Sequence, residues 1–280
     1  MPGAQPARRP ATRFVAFLLK RARLLGSGTS ATLPGSDRHS VLAQCPAMAA
    51  DITGAVTMVR SELARRADPE KAAGMQTYMK TGMSFYGVQK QGRKEVLRRL
   101  EREFAPETHD DYVDLVCALW ELPNREEKYL AQGVATSFRR FMIPESIDLY
   151  RRFIVEGAWW DFVDETATHL IRELVLDHPS IIWPTVDVWN EHDDMWLRRT
   201  SILCQIGAKD RTDTRRLFAY CRARAGETEF FIRKAIGWAL REYAKTDPAA
   251  VARFVTNHRG DLSGLSYREA TKHIGDMVGR

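Results

Sequence analysis

From Asp51 to the C-terminus the apolar residues return every three to four positions, and no useful stretch alternates them with polar ones. Val113, Val116 and Cys117, followed by Leu119 and Trp120, show the spacing, as do Leu170, Leu174 and Val175. A segment with this pattern buries one stripe along a helix, whereas a strand needs a period of two, so the chain is predicted to be all-α. Helix boundaries are legible as well. Asp68-Pro69 and Asp247-Pro248 each set a capping carboxylate before a proline, whose missing N–H costs a first turn nothing. Ser266 with Glu269 has the spacing of a capping box. Pro106, Pro123, Pro144, Pro179 and Pro184 divide the remaining segments, mostly at or near helix starts. The segments are short and come in pairs at intervals of roughly 40 residues. Such pairs cannot bury their apolar faces alone. Stacked as a solenoid, about 230 residues share one continuous core and leave an extended groove on the concave side.

The first 47 residues are different, being rich in Pro, Gly, Ser and Arg, with seven basic residues against the single acid Asp37. Their one apolar patch, Phe14-Val15-Ala16-Phe17-Leu18-Leu19, is too short for a signal-peptide core or a membrane span. A basic, acid-poor start also resembles an organellar transit peptide. Met48-Ala49-Ala50-Asp51 opens the helical pattern, however, so we read 1–47 as a disordered basic extension, one that the cell need not translate, and 48–280 as the folded domain. The net charge of +6 resides in that extension, which leaves the remainder neutral. Within the remainder, 48–194 holds 18 basic against 26 acidic residues and 195–280 holds 17 against 9. A phosphate backbone would be drawn to the basic C-terminal part. Cys45, Cys117, Cys204 and Cys221 show neither Cys-x-x-Cys spacing nor paired histidines, so no metal site or disulfide framework is indicated, in keeping with a reducing cytoplasm.

The segment Trp159-Trp160-Asp161-Phe162-Val163-Asp164 invites a chemical reading. On a helix Trp160 and Asp164 share one face. An aromatic face attracts positive charge and a carboxylate stabilises it, so a cleft with both suits a ligand that carries or develops a cation. Set against this, a double Trp on an amphipathic helix is more often core than cleft, and an Asp one turn later is usually solvated. Asp161 is the rival carboxylate, turned about 60° from Asp164 around the axis.

Three further segments shift the balance: Lys71-Ala72-Ala73-Gly74-Met75-Gln76-Thr77-Tyr78-Met79-Lys80, Met195-Trp196-Leu197-Arg198-Arg199-Thr200-Ser201-Ile202-Leu203, and Phe230-Phe231-Ile232-Arg233-Lys234-Ala235-Ile236-Gly237-Trp238-Ala239-Leu240-Arg241-Glu242-Tyr243. With the Trp-Trp-Asp block they resemble the AlkD family of bacterial DNA alkylation repair glycosylases, from roughly Asp51 to the C-terminus. The resemblance implies a right-handed helical solenoid of HEAT-like helix pairs with a concave DNA-binding groove. It also implies excision of cationic N3-methyladenine and N7-methylguanine from double-stranded alkylated DNA without base flipping. Asp164 matches the family's catalytic carboxylate, and Trp160, Trp238 and Tyr78 match its cleft aromatics. Arg199 matches a basic residue that would hold a phosphate near the lesion, and Arg241, one turn beyond Trp238, would add a second phosphate contact. No cofactor, metal, membrane or obligate protein partner is implied, and a cytoplasmic monomer, nucleoid-associated when bound to DNA, fits. One departure stands out: after Gly87-Val88-Gln89 the family usually has a proline, and this chain has Lys90-Gln91-Gly92-Arg93. Two alternatives remain: a DNA-structure-binding protein that has lost catalysis, and a protein-interaction scaffold. Retention of Asp164 with Trp160, Arg199 and Trp238 argues against both.

Overall fold

Asp51, Asp68, Asp194, Asp213, Asp247 and Ser263 each accept a backbone N–H from the first turn of the segment that follows, and each begins a helix. A side-chain oxygen there satisfies a donor that the helix itself cannot. A computed structural model describes residues 51–279, so the expectations for 1–47 lie outside the described residues. Its helices are α1 Ile52–Arg65, α2 Pro69–Met79, α3 Lys90–Glu103, α4 His109–Trp120, α5 Arg125–Ser137, α6 Ile147–Gly157 and α7 Trp160–Glu165. A π-helical stretch, Thr166–Ile171, joins α7 to α8 Arg172–Asp177. Then follow α9 Pro179–Asn190, α10 Met195–Leu203, α11 Thr214–Ala223, α12 Phe230–Tyr243, α13 Pro248–Asn257 and α14 Gly264–Ala270. Among the described residues there is no strand, and no helix is long and apolar enough to cross a membrane.

The helices stack as a helical-repeat solenoid. In one layer α3, α5, α7, α10 and α12 begin at residues 90, 125, 160, 195 and 230, a period of 35 rather than the expected 40. Neighbours in this series pack against one another, and α14 closes it against α12. The other layer holds α4, α6, α9, α11 and α13, and the two bury a common core. Leu100, Leu130, Phe162, Leu197 and Ile236 come from the first layer, and Leu115, Phe153, Val186, Leu217 and Val251 from the second.

Two expected boundaries need correction. Helix α14 is capped by Ser263, not Ser266; the Ser266 side chain is buried and donates to Arg233 O, and Glu269 faces α12 instead of closing a capping box. Pro184 lies inside α9 rather than near its start, which Pro179 occupies.

Between α2 and α3 the chain turns at Gly87, where φ is 87° and an added Cβ would stand 2.0 Å from Asp68 O. The turn is tied to α5 by buried Glu126, whose carboxylate accepts from Tyr86 N at 3.1 Å, Gly87 N at 2.8 Å and Val88 N at 3.0 Å. Gly87→Ala is therefore expected to cost about 2 kcal/mol or more, read as a lower urea midpoint at unchanged m-value.

Candidate active site

The site is built on α7 and its neighbours in the 35-residue series. Ala158 ends α6 in the left-handed region at φ 40°, a conformation that a Cβ disfavours, and this turns the chain sharply into α7. The two tryptophans then part company. Trp159, partly buried, packs against Trp196 and Phe231, with ring centres 6.1 and 5.6 Å away. Trp160 borders a cleft of about 440 Å³ between α3, α5 and α7, together with Lys90, Arg93, Lys94 and Asp161.

Asp164, one turn after Trp160, points toward α10. Arg199 holds it through two hydrogen bonds, Nε to Oδ1 at 2.7 Å and Nη2 to Oδ2 at 2.8 Å, and donates a third to Phe231 O on α12. Arg199 is 4% exposed in its side chain and Asp164 17%, so the carboxylate still meets solvent while the guanidinium does not. Burial pushes the Asp164 carboxyl above the ordinary aspartate range; the hydrogen bonds and charge of Arg199 offset part of that, and the nearby Asp161 adds to it.

Arg199 thus forms an interhelix ion pair, spending three of its five N–H donors on Asp164 and a backbone carbonyl. Arg241 has a similar employment, with its guanidinium on Glu269, which also receives Lys234 at 2.6 Å. Trp238 lies on α12 about two turns beyond Phe231 and is partly buried against the core. Tyr78, near the end of α2, is 74% exposed, so it is a surface aromatic and not an interface tyrosine with a buried hydroxyl partner.

Sequence reasoning missed the clamp on the other side of α7. Arg125, Tyr129 and Gln132 lie on one face of α5, four and three residues apart. Arg125, 2% exposed in its side chain, makes a two-point pair with Asp161 that includes Nε to Oδ2 at 3.1 Å, and its guanidinium lies 4.3 Å from the Phe162 ring centre. Tyr129 donates its hydroxyl to the same carboxylate. Gln132 donates to Phe162 O and to Thr166 Oγ1, both at 2.8 Å, where the helix widens into its π segment. The two carboxylates therefore have distinct places: Asp161 is locked to α5 and Asp164 faces α10. Among the described residues no group of three or more His, Cys, Asp or Glu is placed to hold a metal ion.

A family model described as DNA alkylation repair enzyme matches residues 59–274, from within α1 through α14, and includes every residue of this site. The chain belongs to the DNA alkylation repair enzyme family. A solved structure described as a predicted DNA alkylation repair enzyme from Enterococcus faecalis is similar to it at 28% identity and a TM-score of 0.68, covering 75% of this chain and 97% of the other. No curated protein gives a significant match. Membership of the family carries a role in DNA repair and DNA as substrate.

Proposed function

We propose that the protein is a DNA glycosylase that hydrolyses the N-glycosidic bond of cationic alkylated purines, N3-methyladenine and N7-methylguanine, in duplex DNA. The observation that carries this reading is Asp164, a carboxylate fixed by two hydrogen bonds, still open to solvent, and one turn from a tryptophan at the edge of a cleft. A purine made cationic by alkylation leaves with the bonding electron pair and becomes neutral, so no strong general acid is required. What remains is the positive charge that grows on the deoxyribose as the C1′–N bond opens. A carboxylate beside C1′ stabilises that charge and orients the water, whose oxygen bonds to C1′ as its proton passes to the carboxylate or to solvent. Arg199 then acts through Asp164. It weakens the carboxylate's field somewhat, yet keeps it ionised against desolvation and in one orientation before substrate arrives.

Trp160 and Trp238 would face the sugar and the cationic base, with each contact worth on the order of 0.5–2 kcal/mol. The exposed ring of Tyr78 is suited to the DNA backbone. The target nucleotide remains stacked, the protein working alone as a monomer without cofactor. Incubation with methylated duplex DNA should release free N3-methyladenine and N7-methylguanine, detected by chromatography; intact DNA after complete protein binding would refute the reading. Trp160→Ala and Trp238→Ala should each slow single-turnover release about tenfold, the factor for roughly 1.4 kcal/mol. Variants with unchanged rates would remove the aromatic part of the mechanism.

A further inference from the structure

Arg93, on α3, is a guanidinium without a carboxylate. It stacks on Tyr129, 4.7 Å from the ring centre, and donates one hydrogen bond of 2.8 Å to Val88 O. Burial pushes it below the ordinary arginine range, and yet it makes no ion pair among the described residues. The acids acting on it are committed elsewhere: Asp161 is held by Arg125 and Tyr129, and Glu126 by three backbone N–H groups. One exposed acid, Glu165, also borders the cleft. Lys90 and Lys94 flank Arg93 on the same helix, border the same cleft, are exposed, and have no ion pair among the described residues. A partly desolvated cation with unused donors, fixed by stacking, is costly unless an anion completes it. With the two exposed lysines, Arg93 brings three cations to the cleft edged by Trp160.

Register places this cluster relative to the chemistry. Lys94, Tyr129, Asp164, Arg199 and Lys234 occupy the same position of successive helices, at the 35-residue period. Lys94 is therefore two helices from Asp164 in one layer, roughly 16–20 Å at ordinary interaxial spacing. That span is on the order of five base-pair steps along a duplex axis. We propose that Lys90, Arg93 and Lys94 form a binding site for the phosphodiester backbone of duplex DNA on one side of the lesion. The proposal rests on the DNA-glycosylase reading for its ligand. It places a phosphate site in the half of the domain that carries net negative charge, where composition offers no sign of one.

The test uses the full-length protein and a duplex with a central N7-methylguanine, with Kd measured across a range of salt concentrations. Each phosphate contact removed should reduce the slope of log Kd against log salt by about 0.9. Lys90→Ala/Lys94→Ala should therefore lower it by nearly two units, and Arg93→Gln by about one. The lysine pair is exposed, so its result stands even if the arginine variant folds poorly. Arg222→Ala, an exposed cation on α11 in the other layer, should leave the slope unchanged. Replacing single phosphates by uncharged methylphosphonates should weaken wild-type binding at a few positions on one side of the lesion, and have no further effect on the lysine variant. Unchanged slopes in both α3 variants, or an equal drop in Arg222→Ala, would overturn the site. A wild type that binds DNA with the expected α3 dependence but releases no methylated purine would support the phosphate site and refute the glycosylase reading.

Discussion

Asp164→Asn should reduce single-turnover release of N7-methylguanine by at least about 100-fold, while DNA affinity stays within roughly a factor of two. Removing a charge aimed at a developing cation costs the transition state much more than the ground state, and losses of 10²–10³ are usual for one such group. An Asn still accepts one hydrogen bond from Arg199 but leaves that buried guanidinium short of a counter-charge, so stability falls too, by up to about 3 kcal/mol. Rates are therefore to be compared at a temperature where both proteins are folded by circular dichroism. The pH profile is an independent readout. Asp164 is active when ionised, so release should fall as pH drops through its raised pKa, above the ordinary aspartate value of about 3.9. N7-methylguanine in DNA carries a fixed positive charge, which leaves the protein as the titrating partner. Arg199→Gln removes groups that lower the Asp164 pKa, and should move the acid limb further up. A limb that stays in place would separate Arg199 from the ionisation of Asp164.

Arg125→Met is expected to produce the largest loss of stability, about 3–5 kcal/mol, because it strands a carboxylate that is 12% exposed in its side chain and leaves Tyr129 as its remaining partner. If the cost comes from the stranded charge, Arg125→Met/Asp161→Leu should recover most of it, since replacing both members of a buried pair by apolar groups is often near neutral. Urea denaturation of the four proteins in this cycle measures the coupling directly. Absence of recovery would mean that the Arg125 side chain stabilises through Phe162 and Thr81 instead.

The helical class and some helix starts were legible because capping is local: Asp68-Pro69 and Asp247-Pro248 act within one turn, and the structure keeps both. The period was not legible. The residues before the five evenly spaced helices are Gln89, Asn124, Trp159, Asp194 and Glu229, five different side chains at one structural position. What repeats is backbone geometry, and apolar identity at each site is free to vary within the core's volume. The partners of the site were hidden for the same reason. Arg125 with Asp161 and Asp164 with Arg199 are separated by 36 and 35 residues, one repeat, and only knowledge of that repeat turns distant opposite charges into neighbours. Sequence resemblance selected Asp164 over Asp161; in the structure each carboxylate takes two hydrogen bonds from a buried arginine, Asp161 from α5 and Asp164 from α10. The structure also pairs Arg199 with Asp164 and Arg241 with Glu269, and directs attention to cations of α3 that charge counting had placed in an acidic region.

In the proposed mechanism positive charge on the base, and not the shape of its edge, selects the substrate. The most direct measurement compares single-turnover release of N7-methylguanine with that of hypoxanthine and ethenoadenine from otherwise identical duplexes. Neutral bases need a proton to leave, and Asp164, paired with Arg199, has none to give when ionised. Rapid release of N7-methylguanine with no detectable release of either neutral base is the expected result. Excision of hypoxanthine at a comparable rate would refute selection by charge and require a base-reading pocket with its own acid.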